Sequence, residues 1–399
     1  EMRLLIRLSA LVAPAALLSH DDWQLTSYDG VHGIAKRQAM ANTSLLWKTA
    51  YFAFDANITE QTKARVRYAA AFWHNNTCLD VVETTKDEKP RMQFRSTSGT
   101  CCSTGVGRDP YRDTRDIIMA DWCYTSQALR EIAHALGFHE THLRHDRDQY
   151  VYFTPEKSQY FFPHEADIDK PLTTKENNNF GIPYDYGSIM QPEDGSRDRK
   201  GTDTMKPKNP MYNQTLGSDI VSFYDVSLMN ELYGCKKRCA SSGTKCANGG
   251  FPHPRDCSKC ICPSGFAGTT CTERPAGCGA TVKATEAPQK LNHTMYFDRP
   301  LLKRQTYDFC IWHIEAPKDR RIEIKIIDLG PTSCPSCTTN GIEVKYLADL
   351  AQTGARFCCP ASDWIQRYNG TITSETNVMP IILYSNMIST GFRLQYRLV

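Results

Sequence analysis

The sequence predicts an α+β domain followed by a small disulfide-rich module and a β-sandwich. Three observations predict it: mixed helix and strand periodicity up to Cys235, a Cys-, Gly- and Pro-dense stretch after it, and a C-terminal third of short alternating runs. The chain has 399 residues, enough for more than one core. Its 47 Lys and Arg against 44 Asp and Glu leave a net charge of +3, which argues against the concentrated basic face of a dedicated nucleic-acid binder. With 41% apolar and 23% charged residues, a disordered chain is excluded too. Of 17 cysteines, twelve lie beyond Cys235, too dense for a reducing cytosol.

Residues 1–19 read as a signal peptide: Arg3 and Arg7 precede an apolar run from Leu8 to Leu18, too short to span a bilayer. Residues 20–37 form a polar pro-segment ending in Lys36-Arg37, after which cleavage is expected. Secretion follows, with no membrane span, and the sequons at Asn42, Asn57, Asn75, Asn213, Asn292 and Asn369 become glycan sites. Trp47–Asp55 alternates like a strand, and Thr59–His74 places Val66, Ala69, Ala70 and Trp73 on one helical face. Pro90–Arg95 and Asp116–Asp121 read as short strands, and Ser126–Phe138 as a helix that Gly137 stops. Six cysteines between Cys239 and Cys271 sit in a segment too short to bury an adequate core, so bridges must hold it. Beyond Cys278, runs such as RIEIKII at Arg321–Ile327, GIEVKY at Gly341–Tyr346 and FRLQY at Phe392–Tyr396 alternate between turns, as in a sandwich.

The spacing of Cys239, Cys246, Cys257, Cys260, Cys262 and Cys271, ending in CICPSGFAGTTC, resembles an EGF-like module over 236–272. That resemblance implies the pairs Cys239–Cys257, Cys246–Cys260 and Cys262–Cys271. Residues 278–399 resemble a CUB domain, which implies Cys278–Cys310 and a surface for extracellular protein partners. Many CUB domains bind calcium through an acidic cluster, but Asn340 stands where that pattern usually has Asp.

Chemistry concentrates in Arg130-Glu131-Ile132-Ala133-His134-Ala135-Leu136-Gly137-Phe138-His139-Glu140, then Arg144-x-Asp146-Arg147-Asp148, then Tyr184–Met190. Over 38–235 these segments resemble the astacin family of zinc metalloendopeptidases, metzincins with an α+β catalytic domain and the signature H-E-x-x-H-x-x-G-x-x-H-E. Two His four apart lie on one helix face and can grip one zinc, and the chain must reverse at Gly to deliver the third ligand. The resemblance implies one Zn2+ per subunit, a protein or peptide substrate, and Glu131 as general base towards water. His134 becomes a ligand, His139 and Glu140 compete for the third-ligand role, and Met190 forms the Met-turn beneath the metal. It also implies Cys78–Cys235 and a bridge from Cys123 to Cys101 or Cys102, taken as Cys102–Cys123.

Three departures bear on activity. Arg130 stands at the first ligand position, and a guanidinium has no lone pair to donate. Counting without gaps from Gly137 puts Glu140 at the third position; one deletion with a later insertion would put His139 there and make Glu140 the acid that pairs with the mature amino terminus. Gln191-Pro192 replaces the His-Tyr that follows the family's Met. Weak or absent zinc and low peptidase activity are therefore expected. The alternative is a pseudoprotease that acts as an extracellular protein-binding scaffold through its EGF and CUB modules.

Overall fold

The computed structural model describes residues 39–97, 101–154, 170–192, 205–296, 305–330, 337–359 and 369–399. The expectations for the signal peptide, the pro-segment with its cleavage after Arg37, and Cys334 lie outside them.

The first lobe is built on a five-stranded sheet. Its strands are β1 (Ala50–Phe54), β2 (Val81–Glu83), β3 (Arg91–Arg95), β4 (Cys102–Thr104) and β5 (Thr114–Met119), in the order β2-β1-β3-β5-β4. All neighbours are parallel except β4, which runs antiparallel to β5 at the edge. Helix α1 (Glu60–Asn75) and helix α2 (Thr125–Ala135) pack on the sheet. Thr59 caps α1 by accepting from the Thr62 N–H, and Val66, Ala69, Ala70 and Trp73 form its buried face. Trp73 also donates its indole N–H to Leu129 O of α2 at 3.0 Å, so the polar tip of this large ring is satisfied inside the core.

Among the described residues, the part of the lobe after α2 carries the β6–β7 pair (Val151–Phe153 and Met205–Pro207) and α3 (Phe223–Leu232). α3 starts with Ser222 and Asp225 in a reciprocal capping box. Cys78–Cys235 ties the end of α1 to the segment after α3.

The next segment is the hairpin β8–β9 (Phe251–His253 and Asp256–Ile261), held by Cys239–Cys257, Cys246–Cys260 and Cys262–Cys271. Two facing sheets follow, formed by β10 (Thr281–Lys283), β11 (Gln289–Met295), β12 (Asp308–Glu315), β13 (Ile322–Leu329), β14 (Asn340–Val344), β15 (Ala355–Phe357), β16 (Thr371–Thr373), β17 (Val378–Ser385) and β18 (Thr390–Leu398). Their orders are β10-β12-β17-β14-β15 and β11-β18-β13-β16. Trp312, Ile314, Ile324, Ile326, Leu383 and Phe392 fill the space between them. Cys278–Cys310 and Cys337–Cys358 close this lobe, and Cys359 is also bridged. Asn340 is fully buried and its amide donates to Thr390 Oγ1 at 3.3 Å, so its side chain serves the fold.

One pairing must be corrected. Cys123 bridges Cys101, with Cα atoms 5.4 Å apart, and Cys102 is the free cysteine among the described residues. Adjacent residues entering a strand point to opposite faces. Cys101 therefore faces Cys123, while Cys102, paired in register with Met119, turns its thiol to α2.

Candidate functional site

The site is assembled where α2 ends. Tyr124 donates its backbone N–H to Gln127 Oε1 at the helix start. The apolar face buries Ala128, Leu129, Ile132, Ala133 and Ala135 against the sheet and α1. Arg130, Glu131 and His134 line the adjoining face. At the far end, Gly137 N–H donates to His134 O at 2.8 Å and Phe138 N–H to Ala133 O at 2.9 Å. These are the two bonds of a Schellman stop, and Gly137 takes the left-handed conformation it needs, φ +115°. The chain then reverses and brings His139 and Glu140 back towards the helix.

Glu140 is the residue that meets α2. Its Oε2 accepts from Arg130 Nη2, and its Oε1 lies 3.4 Å from His134 Nε2. Arg130 Nη1 also donates to Ile189 O at 3.1 Å. His134 Nδ1 lies 2.7 Å from Phe138 O, a group that only accepts, so Nδ1 carries a proton. A carboxylate facing Nε2 favours a proton there as well. Burial disfavours the charged ring, but Glu140 overcomes it and raises the His134 pKa. Burial works likewise against Glu140, yet the Arg130 charge and His134 hold its carboxyl far below the ordinary range. Glu131 is 6% exposed, and burial raises its pKa, partly opposed by His134 and Arg130. The Cys102 thiol bonds to Glu131.

The remaining sequence-derived residues fall into place around this cluster. Met190 is fully buried, donates its N–H to Ser188 Oγ at 3.0 Å, and accepts from Thr141 N–H at its carbonyl at 2.9 Å. It therefore lies under the chain reversal. Arg144 forks onto Asp146 at 2.8 and 2.7 Å and donates to Pro183 O and Ile182 O, which clips the Arg-rich segment to the one that leads into Tyr184. Gln191 accepts from the Tyr184 hydroxyl at 2.6 Å. His139 is buried at 3% exposure. His134, His139 and Glu140 do not bring three donor atoms within 4.8 Å of one another. Among the described residues only Cys278, His293 and Cys310 do so, and there the two sulfurs are bonded as a disulfide.

Two participants escape a reading of the sequence. The family resemblance leaves Cys101 and Cys102 both open as the partner of Cys123, and only the alternation along β4 turns Cys102 to Glu131. Asp225 carries no motif; its signal is the Ser222–Asp225 capping spacing. Its carboxylate accepts from Ser188 Oγ at 2.5 Å and from Ile189 N–H at 2.9 Å, and so fixes the turn that carries Met190. Of the six sequons, Asn42, Asn57, Asn75, Asn292 and Asn369 are exposed, whereas Asn213 is half-buried with its Oδ1 enclosed.

The family model for Astacin, a peptidase family, matches residues 39–234. Zinc metalloproteinase nas-31 of Caenorhabditis elegans is 36% identical over 371 residues, 92% of this chain but only 58% of its own length. Zinc metalloproteinase nas-17 of the same organism is 32% identical over 377 residues, covering 92% of this chain and 83% of its own. High choriolytic enzyme 1, a hatching enzyme zinc-protease from Oryzias latipes, shares 26% identity at a TM-score of 0.42, covering 49% of this chain and 98% of that one.

Proposed function

Because the chain belongs to the astacin family of metallopeptidases, we propose that it is a metalloendopeptidase by lineage that takes protein chains into a cleft over α2 outside the cell. The edge strand β4 supports a polypeptide as the occupant. An extended chain that pairs with such an edge gains main-chain hydrogen bonds, and Cys102 on that strand adjoins Glu131. Residues 38–235 are then the peptidase domain, and 236–272 and 278–399 are EGF-like and CUB modules that engage protein partners. The signal and pro-segment, the glycans on exposed sequons and the extracellular location belong to the same proposal.

Relatives in this family use zinc, so the residues here must be tested against that ion. They do not fit it. Arg130 offers no lone pair and adds a positive charge. His134 turns Nε2 to a carboxylate, and His134, His139 and Glu140 do not converge. Catalytic zinc takes three protein ligands, so no hydrolytic step is derived through a metal. Hydrolysis with Glu131 as general base rests on family membership alone. Capture of a polypeptide without turnover is the second reading, and the contact between Arg130 and Glu140 is the observation behind it.

The experiment uses the full chain, secreted from eukaryotic cells and cut after Arg37. Cleavage of an unfolded protein is measured beside binding of a fluorescent peptide library. Saturable binding is expected, and binding without cleavage would establish capture without turnover. Chelator-sensitive cleavage that disappears in Glu131→Gln would establish the hydrolytic reading instead, and absence of both binding and cleavage would remove the cleft as the site of function.

A further inference from the structure

Two of the three positions that hold zinc in the family signature differ here, and they differ to opposite charges that touch. Gly137 plus three is Glu140, so the gap-free count puts Arg130 first, His134 second and Glu140 third. The contacts follow that count: Glu140 reaches both Arg130 and His134. Either change alone would be poorly tolerated. Arg130 without Glu140 is a half-buried cation beside His134; Glu140 without Arg130 is a carboxylate placed near the buried Glu131. Together they neutralise each other and satisfy each other's hydrogen bonds, which a buried charge requires.

The guanidinium also does the joining that an ion would do. From α2 it donates through Nη2 to the chain returning after Gly137 and through Nη1 to Ile189 O in the turn that carries Met190. Helix, return and turn are the three elements that a metal, its third ligand and its floor would hold together.

We propose that the Arg130–Glu140 pair is a built-in substitute for the metal ion, with Arg130 as a positioning residue that keeps the cleft assembled without zinc. This rests on reading the cleft as an astacin-family site, and the experiment separates the two. Zinc content and thermal midpoint are measured on the full chain, with and without chelator. The set is wild type, Arg130→Met, Glu140→Gln, the double Arg130→Met/Glu140→Gln, and the double Arg130→His/Glu140→His.

Wild type should carry no zinc and melt at the same temperature in chelator. Each single variant should melt several degrees lower. The neutral double variant should recover most of the loss, because the charge left behind has gone with its partner. The double His variant should take up one zinc ion per chain and melt lower once it is chelated. Bound zinc in wild type, additive losses in the neutral pair, or a folded double His variant that takes no zinc would each overturn the inference. Should Arg130→Met not fold, Glu140→Gln and the double His variant decide alone. Loss of peptide binding by a stable, metal-free wild type would instead overturn the cleft reading and leave this inference standing.

Discussion

Asp225 is 2% exposed, beneath the turn that carries Met190. Burial, and the neighbouring Asp185, push its carboxyl up to about 6, in spite of the bonds from Ser188, Ile189 and Ser222. The folded pKa therefore lies above the unfolded one, and the folded state binds the extra proton between roughly pH 4 and 6. Stability rises as pH falls through that window, by on the order of 3 kcal/mol at most from this group. His134, whose pKa is also raised, adds in the same direction, because its protonated form is the one that is stabilised. Denaturant midpoints measured from pH 7 to pH 4 should rise towards acid, and Asp225→Asn should flatten the slope; an unchanged slope would show that the carboxyl is not the source. Cys102 gives a second expectation. Burial and the adjoining Glu131 push its thiol well above the ordinary range, so thiolate is scarce and native alkylation at pH 8 should be slow. Unfolding should make it fast, and equal rates in the two states would contradict this setting. Neither residue was legible as part of the site. Periodicity cannot choose between adjacent cysteines, because strand register decides which of them faces the helix. His139 against Glu140 is the same problem at the end of a helix: one residue of slack after a Gly stop moves either side chain to the pocket, and only the backbone of the reversal separates them.

At the scale of elements, the sequence was legible wherever a pattern ran long enough to repeat. The buried face of α1, the strands β1, β3 and β5, and α2 with its Gly stop follow the spacing of their apolar residues. The three-residue strands β2 and β4 did not, since three residues hold barely one alternation, and their pairing is imposed by the sheet. That omission matters because Cys102 on β4 adjoins Glu131. The sharpest test of an element is Gly137. At φ +115° a side chain is strained, and a Cβ there would meet Met40 Sδ at 3.0 Å, Leu232 Cδ2 at 3.2 Å and Leu46 Cδ2 at 3.3 Å. Gly137→Ala should cost about 1–3 kcal/mol, and peptide binding should weaken with it, because the return that carries Glu140 starts there. A variant as stable as wild type would mean that the stop does not need this conformation.

For the whole molecule, the first lobe and the sandwich are not beads on a string. Gln352 donates to Tyr184 O at 3.1 Å, Thr353 Oγ1 to Asp185 Oδ2 at 3.0 Å, and Arg356 Nη1 to Ser218 Oγ at 2.9 Å. Arg356 is paired in turn with Glu343 at 3.1 Å, inside the sandwich lobe. The segment from Gln352 to Arg356 thus grips the chain that leads to Met190 and the stretch at Ser218, a coupling that no motif in either lobe announced because its partners lie 138 to 168 residues apart in sequence. Gly187 marks the point of closest approach. A Cβ there would lie 2.3 Å from Thr353 Cγ2 and 2.8 Å from Thr353 Cβ. Thr353 cannot swing away freely, since its hydroxyl is held by Asp185 and its carbonyl accepts from the Tyr212 hydroxyl. Gly187→Ala should therefore push the loop outward and destabilise by roughly 1–3 kcal/mol. Thr353→Ser keeps the bond to Asp185 but removes the methyl, so adding it should restore part of the stability. Thermal midpoints of the two single variants and the double variant check this. Rescue would establish that the two lobes are fitted to each other beside the turn that leads to Met190; equal losses in the double variant and in Gly187→Ala would place the strain within the turn itself.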